Sequence, residues 1–223
     1  MKKRKVLITA IAVCLIAILA CGTLSYFTHT SNTVTNKFYT YSTEDFPDGP
    51  PTSATQLFSI DVYETRLDDE GKIIQENGKN KKFYENTYEK VLPGSQLHKD
   101  PTVENTGKYD AWVRLNVTVT KADEWTAAVT DFDLDKIFTN FNGTDWELSS
   151  APTKKDNALT YVYYSKSPLA AGETSVLFNG MSIPTSLTAE DMIALAQFQI
   201  TITGDAIQSD NNGTTAAEGF ANW

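Results

Sequence analysis

The chain has 223 residues, 41% of them hydrophobic and 11% aromatic, which is enough to bury the core of one domain. It carries 28 Asp and Glu against 19 Lys and Arg, a formal net charge of −9. This acidic balance, without a basic patch, excludes the phosphate contacts on which nucleic-acid binding depends.

Residues 1–27 have the pattern of an export signal. A basic head at positions 2–5 is followed by an uncharged apolar run at positions 6–20. Small residues then follow the run, at Gly22, Thr23 and Ser25. A basic region, an apolar core and a small-residue exit are typical of a cleaved signal peptide, which we assign to residues 1–26.

Two alternatives to cleavage at this exit stay open. The uncharged run from residue 6 to residue 24 is long enough for a retained membrane anchor, since a spanning helix needs about 20 apolar residues. Residues 18–22, Ile-Leu-Ala-Cys-Gly, also loosely match a lipoprotein cleavage box, in which Cys21 becomes the acylated first residue.

Removal of the signal changes both the charge and the cysteine content. The signal holds four of the 19 Lys and Arg and none of the 28 Asp and Glu, so the mature chain has a net charge of −13. Both cysteines, Cys14 and Cys21, lie in the signal. The mature chain therefore has no disulfide framework, no thiolate nucleophile and no cysteine-based zinc site.

Residues 27–55 are predicted to form an N-terminal arm that is rich in Thr, Ser and Asn and able to form a strand. Residues 56–208 are predicted to form the folded domain, because apolar and polar residues alternate over many short segments. The predicted strands cover residues 56–63, 83–92, 103–105, 111–120, 146–148, 159–164, 174–178, 181–183, 197–203 and 206–208.

The remaining segments are predicted to be turns or short helices. Residues 68–80 are charged and turn-rich, which indicates a solvated hairpin or insertion. Residues 122–141 favour one or two short helices, and residues 188–191 match the N-terminal cap of another. Residues 209–223 form a tail with a short helix at 216–223. Together these elements predict an all-β antiparallel sandwich with a few short helices.

The histidine content argues against a peptidase. A zinc peptidase of the zincin type needs two His residues one helical turn apart with a Glu between them. The chain has only His29 and His98, and no H-E-x-x-H occurs. We interpret His98 as an exposed strand residue and expect no enzyme, no cofactor and no catalytic residues.

Three alternating carboxylates form a weak calcium candidate: Asp131, Asp133 and Asp135. Carboxylates at alternate positions are able to share a hard cation, but the Gly and Glu of an EF-hand loop are missing. Acidic residues on a solvated surface near a helix start are the simpler interpretation, so we expect no metal.

The end of the signal carries a family resemblance. Residues 22–28 read Gly-Thr-Leu-Ser-Tyr-Phe-Thr. This run resembles the ending of proteins exported through the dedicated SipW signal peptidase of Gram-positive bacteria, a class that includes the TasA biofilm fibre protein and camelysin. The resemblance implies a SipW-like peptidase as partner and a cleavage region at Thr23, Ser25, Tyr26 and Phe27.

Later stretches are similar to the same TasA/camelysin group, in the same order. They cover most of residues 93–220. The matching runs are residues 92–95, 103–107 and 112–114, then residues 161–164, 169–174 and 177–178, and finally residues 206–208 and 216–220.

The resemblance implies a jelly-roll-like sandwich that is secreted to the cell surface or biofilm matrix. In fibre-forming members, the segment freed by signal cleavage inserts as a strand into the next subunit. The corresponding arm here is residues 27–41, with its β-prone residues Phe27, Val34, Phe38, Tyr39 and Tyr41. Signal cleavage would then also switch on assembly of the mature chain with other copies of itself or with other matrix proteins.

Three functions follow from these observations. The first is an exported structural protein, a fibre subunit that assembles by donor-strand addition. The alternative is a monomeric surface adhesin or ligand-binding module, free or held by a membrane or lipid anchor. The arm is then a loose surface segment or a first strand that folds back on its own sheet. The third, a secreted metallopeptidase, is disfavoured by the two-histidine count. Nucleic acid is excluded as a partner, and membrane contact is expected only through an uncleaved signal.

Overall fold

The structure, a computed structural model, describes residues 28–30 and 57–221. The strands in this part of the chain are β1 (Thr28–Thr30), β2 (Ile60–Tyr63), β3 (Gln75–Glu76), β4 (Lys79–Asn80), β5 (Gln96–Leu97), β6 (Thr102–Asn105), β7 (Ala111–Thr120), β8 (Trp146–Leu148), β9 (Thr153–Lys155), β10 (Ala158–Ser165), β11 (Thr174–Val176), β12 (Met181–Ser182) and β13 (Ile200–Gln208). The α-helices are α1 (Ala122–Ala128), α2 (Ala189–Ala194) and α3 (Ala216–Phe220), and a 3-10 helix covers Leu134–Lys136.

The strands form one large sheet and one smaller sheet. The large sheet has the order β1-β13-β7-β10-β8, with β9 also paired to β10. The smaller sheet has the order β11-β6-β2, and two further pairs, β12-β5 and β3-β4, complete the described strands. All of these pairings are antiparallel. The all-β sandwich with a few short helices, predicted from the sequence, is confirmed.

The core lies between the two sheets and is built around β7. The alternation predicted for this strand is confirmed, because Val113, Leu115, Val117 and Val119 are all fully buried. Burial of each such side chain stabilises the fold by about 1.5–3 kcal/mol. From the smaller sheet, Val103 is fully buried in the same cluster.

Gly204 of β13 shows how closely the sheets approach. A Cβ atom at this position would lie 2.7 Å from Val62 Cγ2 and 2.8 Å from Ile60 Cδ1, both on β2. The side-chain face of β13 therefore touches the opposite sheet, and only glycine leaves room for that contact.

Most predicted strands and helices are confirmed. Strands are present within residues 111–120, 146–148, 159–164 and 197–208, and the helical turns within 122–141, 188–194 and 216–223 are present. Helix α2 begins with a capping box, in which Thr188 Oγ1 accepts from the Asp191 N–H and the Asp191 carboxylate accepts from the Thr188 N–H. The hairpin predicted at residues 68–80 is present as β3 and β4.

The strand predicted at residues 83–92 is wrong. Only Phe83 forms a bridge there, with Glu64, and Lys90 has a left-handed φ of 55°. Side chains hold this segment instead, since Asn86 donates to Glu64 and the Tyr88 hydroxyl donates to the carbonyl of His98. The segment is therefore a loop held by side-chain hydrogen bonds, although it contains residues with high β-propensity.

Lys82 ties the segment between β2 and β5 to the smaller sheet. Its ammonium lies 2.8 Å from Asp61 Oδ2 and 2.5 Å from Glu104 Oε2, two residues that face each other across β2 and β6. Burial lowers the pKa of Lys82, but the hydrogen bonds to Asp61 and Glu104 outweigh it and raise that pKa well above 10.5. The ammonium therefore stays charged and separates two carboxylates that would otherwise repel.

Candidate assembly edge

The N-terminal strand β1 lies on the outer edge of the large sheet, against β13. Thr28 pairs with Ile207, His29 with Ala206 and Thr30 with Asp205. On its other side, β13 pairs with β7 over its whole length. In the part of the chain that the structure describes, the large sheet therefore ends at β13 wherever β1 does not cover it.

The described part of β1 covers only the second half of β13. Among the described residues, no strand pairs with the outer side of residues 200–204. An edge of this kind presents main-chain N–H and C=O groups that are ready to pair with another strand. Thr201 and Thr203 are exposed, whereas Ile200 and Ile202 pack against the core, so the edge has one polar and one apolar face.

A buried ion pair joins β13 to β7 in the segment that β1 covers. Asp205 Oδ2 accepts from Arg114 Nε at 3.0 Å, from Arg114 Nη2 at 2.8 Å and from Asn116 Nδ2 at 3.1 Å. Both donors come from β7, on the opposite side of β13 from β1. The pair is part of the strand that β1 covers, because Asp205 is the register partner of Thr30.

Helix α3 covers the outer face of the large sheet next to this pair. The buried residues of the contact are Trp112, Ile207, Ala216 and Phe220. The Phe220 ring stacks on Tyr164 with centroids 5.8 Å apart, and the Arg114 guanidinium lies 4.7 Å from the Phe220 centroid. Helix packing explains why Trp112, on the mixed face of β7, is buried.

Gly219 allows α3 to approach this closely. A Cβ atom there would lie 2.5 Å from Ile207 Cδ1 and 2.8 Å from the carbonyl oxygen of Asn212. Runs that are far apart in the chain, at residues 112–114, 206–208 and 216–220, therefore meet at one place in the fold. Their order in the sequence resembles that of the TasA/camelysin group, but nothing in the sequence predicted that the three runs touch.

The predicted cleavage and arm residues lie largely outside the described part of the chain. Thr23, Ser25, Tyr26 and Phe27 precede it, and Val34, Phe38, Tyr39 and Tyr41 fall between its two ranges. Only the backbone of residues 28–30 represents the arm, and that backbone forms β1.

The three acidic residues of the calcium candidate have separate local roles. Asp131 is exposed and has a left-handed φ of 50°, and Asp133 Oδ1 accepts from the Leu134 N–H at the start of the 3-10 helix. Asp135 Oδ1 lies 4.0 Å from Lys136 Nζ. In residues 57–221, no group of three or more His, Cys, Asp or Glu side chains is arranged to hold a metal ion.

His98 differs from its predicted role as an exposed strand residue. It follows β5, and its ring is largely buried, with Nε2 2.8 Å from Thr65 Oγ1 and 3.4 Å from Asp100 Oδ1. The Thr65 hydroxyl donates to Asp100 Oδ2 at 2.6 Å. The hydroxyl proton of Thr65 therefore points to the Asp100 carboxylate and not to the His98 imidazole. This arrangement suits a structural hydrogen-bonded cluster better than an activated nucleophile.

Comparisons with protein-family models, with curated proteins and with solved structures found no match. Within the described ranges, no helix is long and apolar enough to cross a membrane. The features that bear on function are therefore the sequence motifs and the geometry of the β13 edge.

Proposed function

We propose that the mature chain is an exported structural protein of the cell surface or extracellular matrix. Its subunits assemble when the N-terminal strand of one chain adds to the β13 edge of another. The observation that carries this proposal is the outer edge of β13, which pairs with an N-terminal strand at residues 205–207 and continues toward residue 200.

The register of β1 predicts which arm residues an added strand would use. A strand that keeps this register beyond Thr30 sets Ser31 opposite Gly204 and Val34 opposite Thr201. Each main-chain hydrogen bond gained stabilises the pairing by about 0.5–1.5 kcal/mol. In the same register, Thr33 lies opposite Ile202 and Thr35 opposite Ile200, and both isoleucines are half-buried. A shift by one residue would exchange the polar and apolar faces of the added strand, so the pairing is specific in register.

Export belongs to the same proposal. Residues 1–26 act as the signal, and cleavage by a SipW-like peptidase within residues 23–27 frees the arm for pairing. The TasA/camelysin resemblance supports this order of events, and an acidic mature chain without cysteine suits a non-covalent extracellular assembly. The proposed role is non-enzymatic, which agrees with a Thr65 hydroxyl that donates its hydrogen bond to Asp100.

A monomeric surface module is the second candidate function. The observation in its favour is that β1 pairs with β13 of its own chain, which is how a self-contained sandwich protects an edge. The two candidates differ in whether the arm leaves its own edge for that of a neighbour.

Truncation of the arm tests the proposal. The mature chain, residues 27–223, is compared with residues 42–223 and with a chain whose residues 27–41 are replaced by an equally long Gly/Ser segment. We expect only the chain with the natural arm to form polymers by light scattering and electron microscopy. A mature chain that stays monomeric at high concentration, or an arm-less chain that still polymerises, contradicts the proposal.

A further inference from the structure

A pocket opens at the side of the large sheet opposite to the assembly edge, where the 3-10 helix faces β8 and β10. Its volume is about 230 Å³. The residues that matter in its wall are Asp133, Asp135, Phe141, Trp146, Leu148 and Tyr163. The wall thus combines two carboxylates with aromatic and aliphatic side chains.

The polar atoms that remain free in this pocket are mostly acceptors. Asn142 donates both amide hydrogens, to Asp145 Oδ2 and to the carbonyl of Val176, and the Trp146 indole N–H donates to Ser175 Oγ. Asp133 forms no ion pair with a described residue, and the nearest partner of Asp135 is Lys136 at 4.0 Å. Lys166, at the rim, donates to the carbonyl of Gly143.

Two buried tyrosine residues also lie on this side of the sheet. Tyr163 is only 8% exposed and lines the pocket, and its hydroxyl forms no hydrogen bond with a described residue. The neighbouring Tyr161 is fully buried, and its hydroxyl lies near Asp133 without a hydrogen bond of normal length to a described residue. Burial raises the pKa of both hydroxyls, and the Asp133 and Asp135 carboxylates raise it further.

A ligand that fits must therefore donate hydrogen bonds and carry positive charge. Buried polar groups without partners are uncommon, and an incoming donor would satisfy the Tyr163 oxygen and both carboxylates together. A saccharide would also find a partner in the Tyr163 hydroxyl, but an ammonium group also compensates the negative charges of the two carboxylates. Phe141 and Tyr163, with ring centroids 5.7 Å apart, offer an aromatic wall that also attracts a cation.

We propose that this pocket binds a primary ammonium group on an aliphatic stem, the side chain of a lysine on a partner polypeptide. Asp133 and Asp135 receive the ammonium, Tyr163 accepts one of its hydrogen bonds, and Phe141 and Leu148 pack against the stem. The net charge of −13 on the mature chain favours the approach of such a cationic partner.

Calorimetric titration of the mature chain with Nα-acetyl-lysine N-methylamide tests the proposal. We expect saturable binding that weakens with added salt, and none by the derivative whose ε-amino group is acetylated. Asp133→Asn and Asp135→Asn should each weaken binding about fivefold, the effect of an exposed charge pair. Asparagine at position 133 still caps the 3-10 helix, and circular dichroism checks that each variant is folded.

The matched control is Asp131→Asn, which removes the same charge from an exposed residue outside the pocket. It should leave the dissociation constant within about twofold, because screening weakens a charge that makes no contact. Equal binding of the acetylated derivative, equal weakening by Asp131→Asn, or binding of N-acetylglucosamine in place of the lysine derivative would overturn the proposal. Polymer formation is measured separately, since the pocket and the β13 edge lie toward opposite edges of the large sheet.

Discussion

One oxygen of Asp205, on the strand that β1 covers, accepts three hydrogen bonds from Arg114 and Asn116. Replacement by Asn removes the carboxylate charge that faces the largely buried guanidinium, and we expect a loss of about 3 kcal/mol in the free energy of unfolding. Urea denaturation measures this loss. Asp210→Asn, at an exposed position just beyond β13, is the control and should stay within about 0.5 kcal/mol of the parent chain. Equal effects of the two variants would contradict the role of the pair.

Gly204 gives a second prediction at the residue scale. Gly204→Ala should destabilise the fold by about 1–3 kcal/mol, because its Cβ would overlap Val62 and Ile60. Gly143→Ala is the control, since a Cβ there meets no atom within 4 Å. Ile60→Val removes the Cδ1 atom that the new methyl group would hit. The double variant should therefore lose less stability than the two single effects combined, as a double-mutant cycle in urea would show. Strict additivity would mean that the sheets do not meet here.

At the scale of elements, Lys82 fastens the segment between β2 and β5 to the smaller sheet. Its pKa is raised in the folded chain, so its contribution to stability is complete below about pH 10.5 and is lost as pH rises through the folded pKa. The stability difference between the parent chain and Lys82→Met should stay constant from pH 7 to 9 and shrink above about pH 11. Lys82→Arg, which keeps its charge at these pH values, is the control in urea denaturation. A difference that does not shrink at high pH would contradict this assignment.

Some of the strands and helices could be predicted from local sequence patterns, and others could not. Strands β7, β10 and β13 follow from their own alternation, and α2 follows from Thr188 and Asp191, because those signals are local. The strand expected at residues 83–92 is wrong because its β-prone residues are held by side-chain hydrogen bonds to distant residues. Strand β12 lies within the strand predicted at residues 181–183, but its partner β5, at residues 96–97, is marked by no local pattern, and their pairing joins distant parts of the chain.

The candidate sites depend even more on long-range contacts. The arm was predicted to be able to form a strand, but its pairing with residues 205–207 joins distant parts of the chain. The pocket takes its wall from the 3-10 helix, from β8 and from β10. In the sequence, Asp133 and Asp135 stood out only as a weak calcium candidate, and nothing local linked them to Tyr163.

At the scale of the whole molecule, the described fold has one sheet edge that already accepts an N-terminal strand. The same hydrogen bonds would serve a strand from the same chain or from a neighbour, so under the proposed strand addition concentration would decide between a closed monomer and an assembly. The account therefore depends on which chain supplies the strand.

Cysteine cross-linking measures this directly, because the mature chain has no cysteine of its own. Chains that carry only Val34→Cys are mixed with chains that carry only Thr201→Cys under oxidising conditions. Opposed residues in an antiparallel pair lie about 4.5–5.5 Å apart at Cα, which suits a disulfide. Thr153→Cys, an exposed position on β9, replaces Thr201→Cys as the matched control. We predict a Val34–Thr201 heterodimer well above the control. A cross-link that forms only when both cysteines are in one chain would contradict assembly by strand addition.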